Sequence, residues 1–160
     1  MRYVRMAVIL SMLVGCATFP RRHDPTRAIP KGWPTPPSCR HINSCFGYRN
    51  DPIAKDMRHH DGVDIAAPSG THVYATAAGR VVYSARNRGG YGNLVRVGHG
   101  NGYETWYAHL AKRKVRAGKR VHRGQAIGRV GDTGRTTAPH LHYEIRANGT
   151  PIDPEPFLGD

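Results

Sequence analysis

Apolar and polar residues alternate in short stretches along most of this chain. The stretches 63–66, 71–75, 79–85, 93–98, 103–109, 126–130 and 141–146 each read as a β-strand with one face turned inward. Between them lie Asn87-Arg88-Gly89-Gly90, His99-Gly100-Asn101-Gly102 and Asn148-Gly149, residues that tolerate the positive φ of tight turns. No helical periodicity of ten or more residues is visible beyond the first sixteen positions. The pattern predicts a single all-β, mostly antiparallel β-sheet domain over residues 38–160, with no internal repeat.

The chain opens differently. Arg2 and Arg5 precede an apolar stretch over residues 6–14, broken only by Ser11. A nine-residue helix at about 1.5 Å per residue cannot cross a hydrocarbon core of about 30 Å, so this is a signal-peptide pattern and not an anchor helix. Leu13-Val14-Gly15-Cys16 resembles the bacterial lipobox, in which the Cys becomes lipidated and starts the mature chain. Residues 1–15 are then a lipoprotein signal, and Ala17 after Cys16 favours the outer membrane, facing the periplasm. The alternative is ordinary cleavage near Ala17. Residues 20–37 hold six of the twelve prolines, so 16–37 reads as a lipidated end followed by a semi-rigid tether. His23 falls in this segment and is expected to be solvated.

Composition sharpens this picture in three places. A charge of +13, with seven Lys/Arg and no acid in residues 111–123, implies attraction to an anionic partner or a merely solvated face around a hairpin anchored by Val115 and Val121. An exported chain meets envelope polymers and lipid surfaces, not nucleic acid. Three cysteines leave Cys39 and Cys45 after Cys16, either bridged, as an exported location permits, or free thiols. Ten histidines are the unusual number.

His60 and Asp64 are four apart, a spacing that alone is more often a hydrogen-bonded pair than a metal site. His140 and His142 flank Leu141, so in a strand both imidazoles share a face while Leu141 enters the core. His109 ends the stretch 103–109, where alternation sets it with Tyr103, Thr105 and Tyr107. Each cluster has an ordinary structural reading by itself. Together they offer two His and one Asp for a metal, with two further His to move protons. No competing motif for a metal, nucleotide or nucleophile is present.

These segments carry a resemblance. Ser44-Cys45-Phe46-Gly47-Tyr48-Arg49, His60-Asp61-Gly62-Val63-Asp64-Ile65-Ala66-Ala67-Pro68 and Tyr107-Ala108-His109-Leu110 occur in the order found in lysostaphin/LytM-type zinc metallopeptidases of peptidoglycan. So do Val121-His122-Arg123-Gly124-Gln125-Ala126-Ile127-Gly128 and Gly131-Asp132-Thr133-Gly134-Arg135-Thr136-Thr137-Ala138-Pro139-His140-Leu141-His142-Tyr143-Glu144. Residues 44–160 resemble that family, which implies its duplicated-hybrid-motif fold and a Zn²⁺ cofactor. By position, His60, Asp64 and His142 match the zinc ligands, and His109 and His140 match the pair acting on the water and the developing oxyanion. Arg49 matches a recurring residue without a catalytic role. His59 competes with His60, but Gly62 and Asp64 select His60. His41, His72, His99 and His122 match no site position. The implied activity is hydrolysis of cross-link or stem peptides of peptidoglycan. Some relatives instead lack zinc ligands and regulate other wall hydrolases; here all five positions are filled. A basic adhesin would leave that spacing unexplained. The bond cut, the oligomeric state and any protein partner are not legible.

Overall fold

A computed structural model describes residues 28–51 and 53–159; the signal, Cys16 and residues 16–27 lie outside the described residues. In chain order the strands are β1 (Ile42–Ser44), β2 (Gly47–Asn50), β3 (Met57–His60), β4 (Val63–Ala66), β5 (His72–Tyr74), β6 (Gly79–Asn87) and β7 (Gly92–Gly98). They continue as β8 (Tyr103–Ala108), β9 (Leu110–Arg113), β10 (Arg120–Val121), β11 (Ala126–Val130), β12 (His140–Ala147) and β13 (Thr150–Ile152). Short 3-10 turns occupy Pro37–Cys39 and Glu155–Phe157.

Every pairing among these strands is antiparallel. The main sheet runs β1-β4-β12-β8-β7-β6-β10, with β13 also on β12; β5-β11-β9 forms a second sheet and β2-β3 a separate hairpin. Alternation explains the assembly. Val63 and Ile65 of β4, Val95 and Val97 of β7, and Leu141, Tyr143 and Ile145 of β12 join one core with Val73, Ile127 and Val130 of the second sheet. Burying aliphatic side chains of this size contributes about 1.5–3 kcal/mol each. The intervening Asp64, His140 and His142 project from the opposite face.

All seven strands expected from alternation are present, two with the same ends and five with ends shifted by one or two residues. The expected strand 103–109 stops at Ala108. His109 adopts φ 56, a left-handed conformation rare outside Gly, and the chain restarts as β9. The side chain of His109 therefore does not follow Thr105 and Tyr107 into the interior.

Six short strands escaped the pattern. In β2 and β3 most residues are exposed or half-buried, with only His60 buried, and the hairpin is held by register, with Tyr48 opposite His59. Strand β13 contains Pro151, which an edge strand tolerates. The basic run 111–123 is not a hairpin, because β9 pairs with β11 and β10 with β6; Val115 and Val121 are buried as expected. Asn148 and Gly149, at φ 50 and φ 85, form the tight turn their chemistry calls for.

The packed body also reaches back to Ala28, upstream of Ser38. The Lys31 and Gly32 amides donate to the Thr76 and Phe157 carbonyls at 3.1 and 2.8 Å, and Thr35 is buried. Trp33 packs against the core, so residues 28–37 are part of the domain rather than of a tether. Cys39 and Cys45 are free thiols, not a bridge.

Gly62, between β3 and β4, shows how tightly the site is backed. A Cβ there would collide with the Tyr143 carbonyl oxygen and lie 2.9 Å from Glu144 Cγ. Gly62→Ala must push β4 from β12, at an expected cost of roughly 1–3 kcal/mol. Calorimetry should show a lowered Tm, together with weaker metal binding, since β4 and β12 carry two of the residues that could hold the metal, Asp64 and His142.

Candidate metal centre

Three elements meet at the candidate ligands. His60 closes β3, Asp64 is the second residue of β4, and His142 sits directly opposite Asp64 in the β4–β12 register. His60 Nε2 lies 3.1 Å from Asp64 Oδ1 and 3.1 Å from His142 Nδ1, and His142 Nδ1 lies 2.9 Å from Asp64 Oδ1. The three donor atoms form a nearly equilateral triangle. Tetrahedral zinc with bonds of about 2.0–2.1 Å has edges of about 3.3 Å, so a small expansion admits the ion. Two imidazole nitrogens and one carboxylate are also the donor set that zinc takes in hydrolytic sites. The residues fit the metal.

Outer contacts choose the nitrogen each histidine offers. The Nδ1–H of His60 donates to the Cys45 carbonyl at 2.8 Å, which leaves Nε2 for the metal. In His142 the roles reverse: Nε2–H donates to Glu144 Oε1 at 3.0 Å and Nδ1 faces Asp64. Such carboxylate–histidine contacts fix tautomer and raise ligand basicity.

Charge couples strongly here in the metal-free protein. Burial alone would raise the Asp64 carboxyl, but hydrogen bonds with His140, His142 and His60 hold it far below the usual carboxylate range. Burial alone would lower His142, yet its bonds to Asp64 and Glu144 carry it up to about 9. Metal binding therefore displaces a proton from this cluster.

Glu144 is the residue that sequence reasoning missed. It is fully buried, and its carboxylate accepts from Tyr91 Oη at 2.7 Å and Arg146 Nε at 2.7 Å besides His142. Burial opposes its ionisation, but the His142 bond, then those of Tyr91 and Arg146, keep its pKa below the ordinary value. The signal was available, since Glu144 follows His142 by two in one strand and must share its face. Glu144→Gln is expected to weaken zinc binding by about 10–100-fold, read by chelator competition.

His109 and His140 stand beside the triangle with ring centroids 4.8 Å apart. The Nδ1–H of His140 donates to the Ala138 carbonyl at 2.8 Å, and its Nε2 lies 3.5 Å from Asp64 Oδ1. The His109 Nδ1–H donates to the Thr133 carbonyl at 2.8 Å, and its amide to the Tyr91 carbonyl at 2.9 Å. These two bonds hold the left-handed backbone, a conformation that costs about 1–3 kcal/mol. Burial pushes His109 down to about 4. All five expected residues thus line one cleft of about 650 Å³.

Among the described residues, the other histidines lie outside the candidate ligand triangle. His59 turns outward to Asp61 at 2.9 Å and packs edge-on against Phe46 and Tyr48. His99 is buried, hydrogen-bonded to the Ala78 carbonyl and Thr105. His72 stacks on Tyr74, and His122 contacts the Arg123 carbonyl. Arg49 touches the far oxygen of Asp64 at 3.5 Å.

An antiparallel β domain presenting a His–Asp–His triangle and a histidine pair to an open cleft is the architecture of a metallopeptidase. The chain belongs to peptidase family M23, whose model matches residues 58–154. Over 113 residues it is 52% identical to the DD-carboxypeptidase/endopeptidase Mpg of Neisseria meningitidis, covering 71% of this chain and 26% of that protein. A zinc-containing peptidase from Vibrio cholerae superposes with a TM-score of 0.74 at 35% identity, covering 82% of this chain and 40% of that one. The catalytic domain of the antimicrobial peptidase lysostaphin from Staphylococcus simulans superposes at 0.67 and 36% identity, covering 74% and 92%. The chain spans about a quarter of the length of the curated relatives it matches first.

Proposed function

We propose that this domain is a zinc-dependent endopeptidase that hydrolyses peptide bonds in cross-links or stems of bacterial peptidoglycan. The observation that carries the reading is the ligand triangle opening onto a cleft that also holds His109 and His140. The resemblance to Mpg, by its name a DD-carboxypeptidase/endopeptidase, and to the zinc-containing Vibrio peptidase supports the substrate class and the metal. Bound zinc would polarise the scissile carbonyl and lower the pKa of a water molecule towards about 7.

The protein's own groups supply the rest. His60, Asp64 and His142 hold the ion, with tautomers set by the Cys45 carbonyl and Glu144. Because the Nδ1–H groups of His109 and His140 are committed to carbonyls, Nε2 is the nitrogen each ring presents to the cleft, that of His140 standing 3.5 Å from Asp64 Oδ1. There they take the proton of the attacking water and hydrogen-bond the oxygen that gains charge. The test is mass spectrometry of muropeptides from cross-linked sacculi treated with the purified protein and zinc. Loss of cross-linked dimers, prevented by a chelator, supports the reading; intact dimers with zinc bound would sink it.

The same reading extends to location. A lipidated Cys16 would tether the domain to a membrane of the cell envelope, the outer one facing the periplasm by the residue at position 17. Cys16→Ala is expected to abolish palmitate labelling and move the protein to the soluble fraction. Labelling that persists in the variant would refute lipidation at this residue.

A further inference from the structure

A second recess adjoins the metal cleft and shares Arg58, Gly89, Gly90 and Arg135 with it. Arg86, Asn87, Arg88 and Gly134 complete its lining. We infer that this arginine-lined recess binds a free carboxylate of the peptide substrate and so selects which peptide occupies the cleft. The inference deepens the peptidase reading and rests on it for the identity of the ligand.

Three chain segments converge here: Arg58 on β3, Arg86 and Arg88 at the end of β6 and in the turn that follows, and Arg135 in the loop before β12. Two of these four guanidinium groups approach one carboxylate, that of Asp51. Asp51 lies 2.7 Å from Arg135 Nη2 and 3.9 Å from Arg58 Nη1. Asp51 is already engaged further, accepting the amides of Ile53 and Ala54 at 2.8 and 2.7 Å. Arg86 and Arg88 have no carboxylate or hydrogen-bond acceptor for their guanidinium groups among the described residues. The recess therefore carries an excess of positive charge, with planar donor forks that match a carboxylate.

Its wall is also fixed relative to the metal ligands. The Arg135 amide donates to the Gly90 carbonyl at 2.7 Å. Gly134, at φ 88, packs backbone to backbone on Gly90 and Gly92, where a Cβ would collide. This joint belongs to the loop that leads into His140, so an anion seated beside it is held at a set distance from the ligand triangle. An exposed arginine is ordinarily just solvated. What distinguishes this group is that two of its members, Arg58 and Arg135, also line the reaction cleft, so a bound anion would be part of the peptide lying there. Stem peptides of the wall carry free carboxylates at chain ends and on acidic side chains.

The test uses synthetic cross-linked stem dimers with carboxylates either free or amidated. For the wild-type protein, kcat/KM should favour the free acid by about tenfold, the scale of one charge-assisted hydrogen bond. In Arg86→Gln/Arg88→Gln that preference should fall to near one, with bound zinc measured as the check on folding. A wild-type ratio near one, or an unchanged ratio in the variant, overturns the inference while leaving the peptidase intact. Binding of the two dimers by chelator-treated protein decides the case separately. If neither dimer is cleaved, the peptidase reading fails, yet tighter binding of the free acid, lost in the variant, still supports the recess. Equal loss of both ligands would report general charge attraction and overturn it.

Discussion

An Asp64→Ala protein is expected to hold no stoichiometric zinc and to leave cross-linked muropeptides intact. Its Oδ1 lies 3.1 Å from His60 Nε2 and 2.9 Å from His142 Nδ1, so it is one corner of the ligand triangle and the only anionic one. Without it two neutral imidazoles remain, short of the three protein ligands that catalytic zinc sites use. Loss of a mere outer partner commonly costs about 10–100-fold in affinity, and loss of a ligand exceeds that. The variant also removes a half-buried acceptor from His60, His140 and His142. Elemental analysis of the purified variant beside a sacculus digest measures both effects. A zinc-free Asp64→Ala protein that still cleaved would refute the ligand set.

His140→Ala should separate binding from chemistry. His140 Nε2 stands 3.5 Å from Asp64 Oδ1 but outside the triangle, and its Nδ1–H is spent on the Ala138 carbonyl. Zinc content should therefore stay near one per chain, while turnover falls by about 10²–10³, the usual cost of losing a proton-transfer or oxyanion group. His109→Ala should behave alike. The double variant should fall little further than either single one, because groups that act as a unit are not additive. Loss of zinc in His140→Ala would instead make it a ligand and displace one of the three named above.

How much of this could be read in advance differs element by element. Alternation revealed the strands that line the core, because a half-buried strand writes its two faces into neighbouring residues. The same rule set Leu141 inward and paired His140 with His142. It missed β2 and β3, whose polar residues gain their structure from each other across the hairpin; no stretch of either strand encodes that alone. It also overlooked residues 28–37, where proline suggested a spacer while Trp33, Thr35 and backbone hydrogen bonds attach the segment to the domain.

The site divides along the same line. His60, Asp64 and the His140–His142 pair are local spacings, and the motifs around them resemble one family in order. By contrast, alternation set His109 with Tyr103, Thr105 and Tyr107, and only a left-handed backbone at φ 56 turns it to the cleft. Glu144 shares a strand face with His142, but its weight comes from Tyr91 and Arg146 closing on the same carboxylate. The arginine recess draws on three segments between positions 58 and 135. Sequence by itself thus determined the strand faces, the ligand types and the family resemblance, since these depend on spacing within a few residues. Tertiary structure alone decided the distances between ligands, the choice of ring nitrogen and the excess of charge beside the cleft. Those depend on strand register and loop contact, which join residues far apart in the chain.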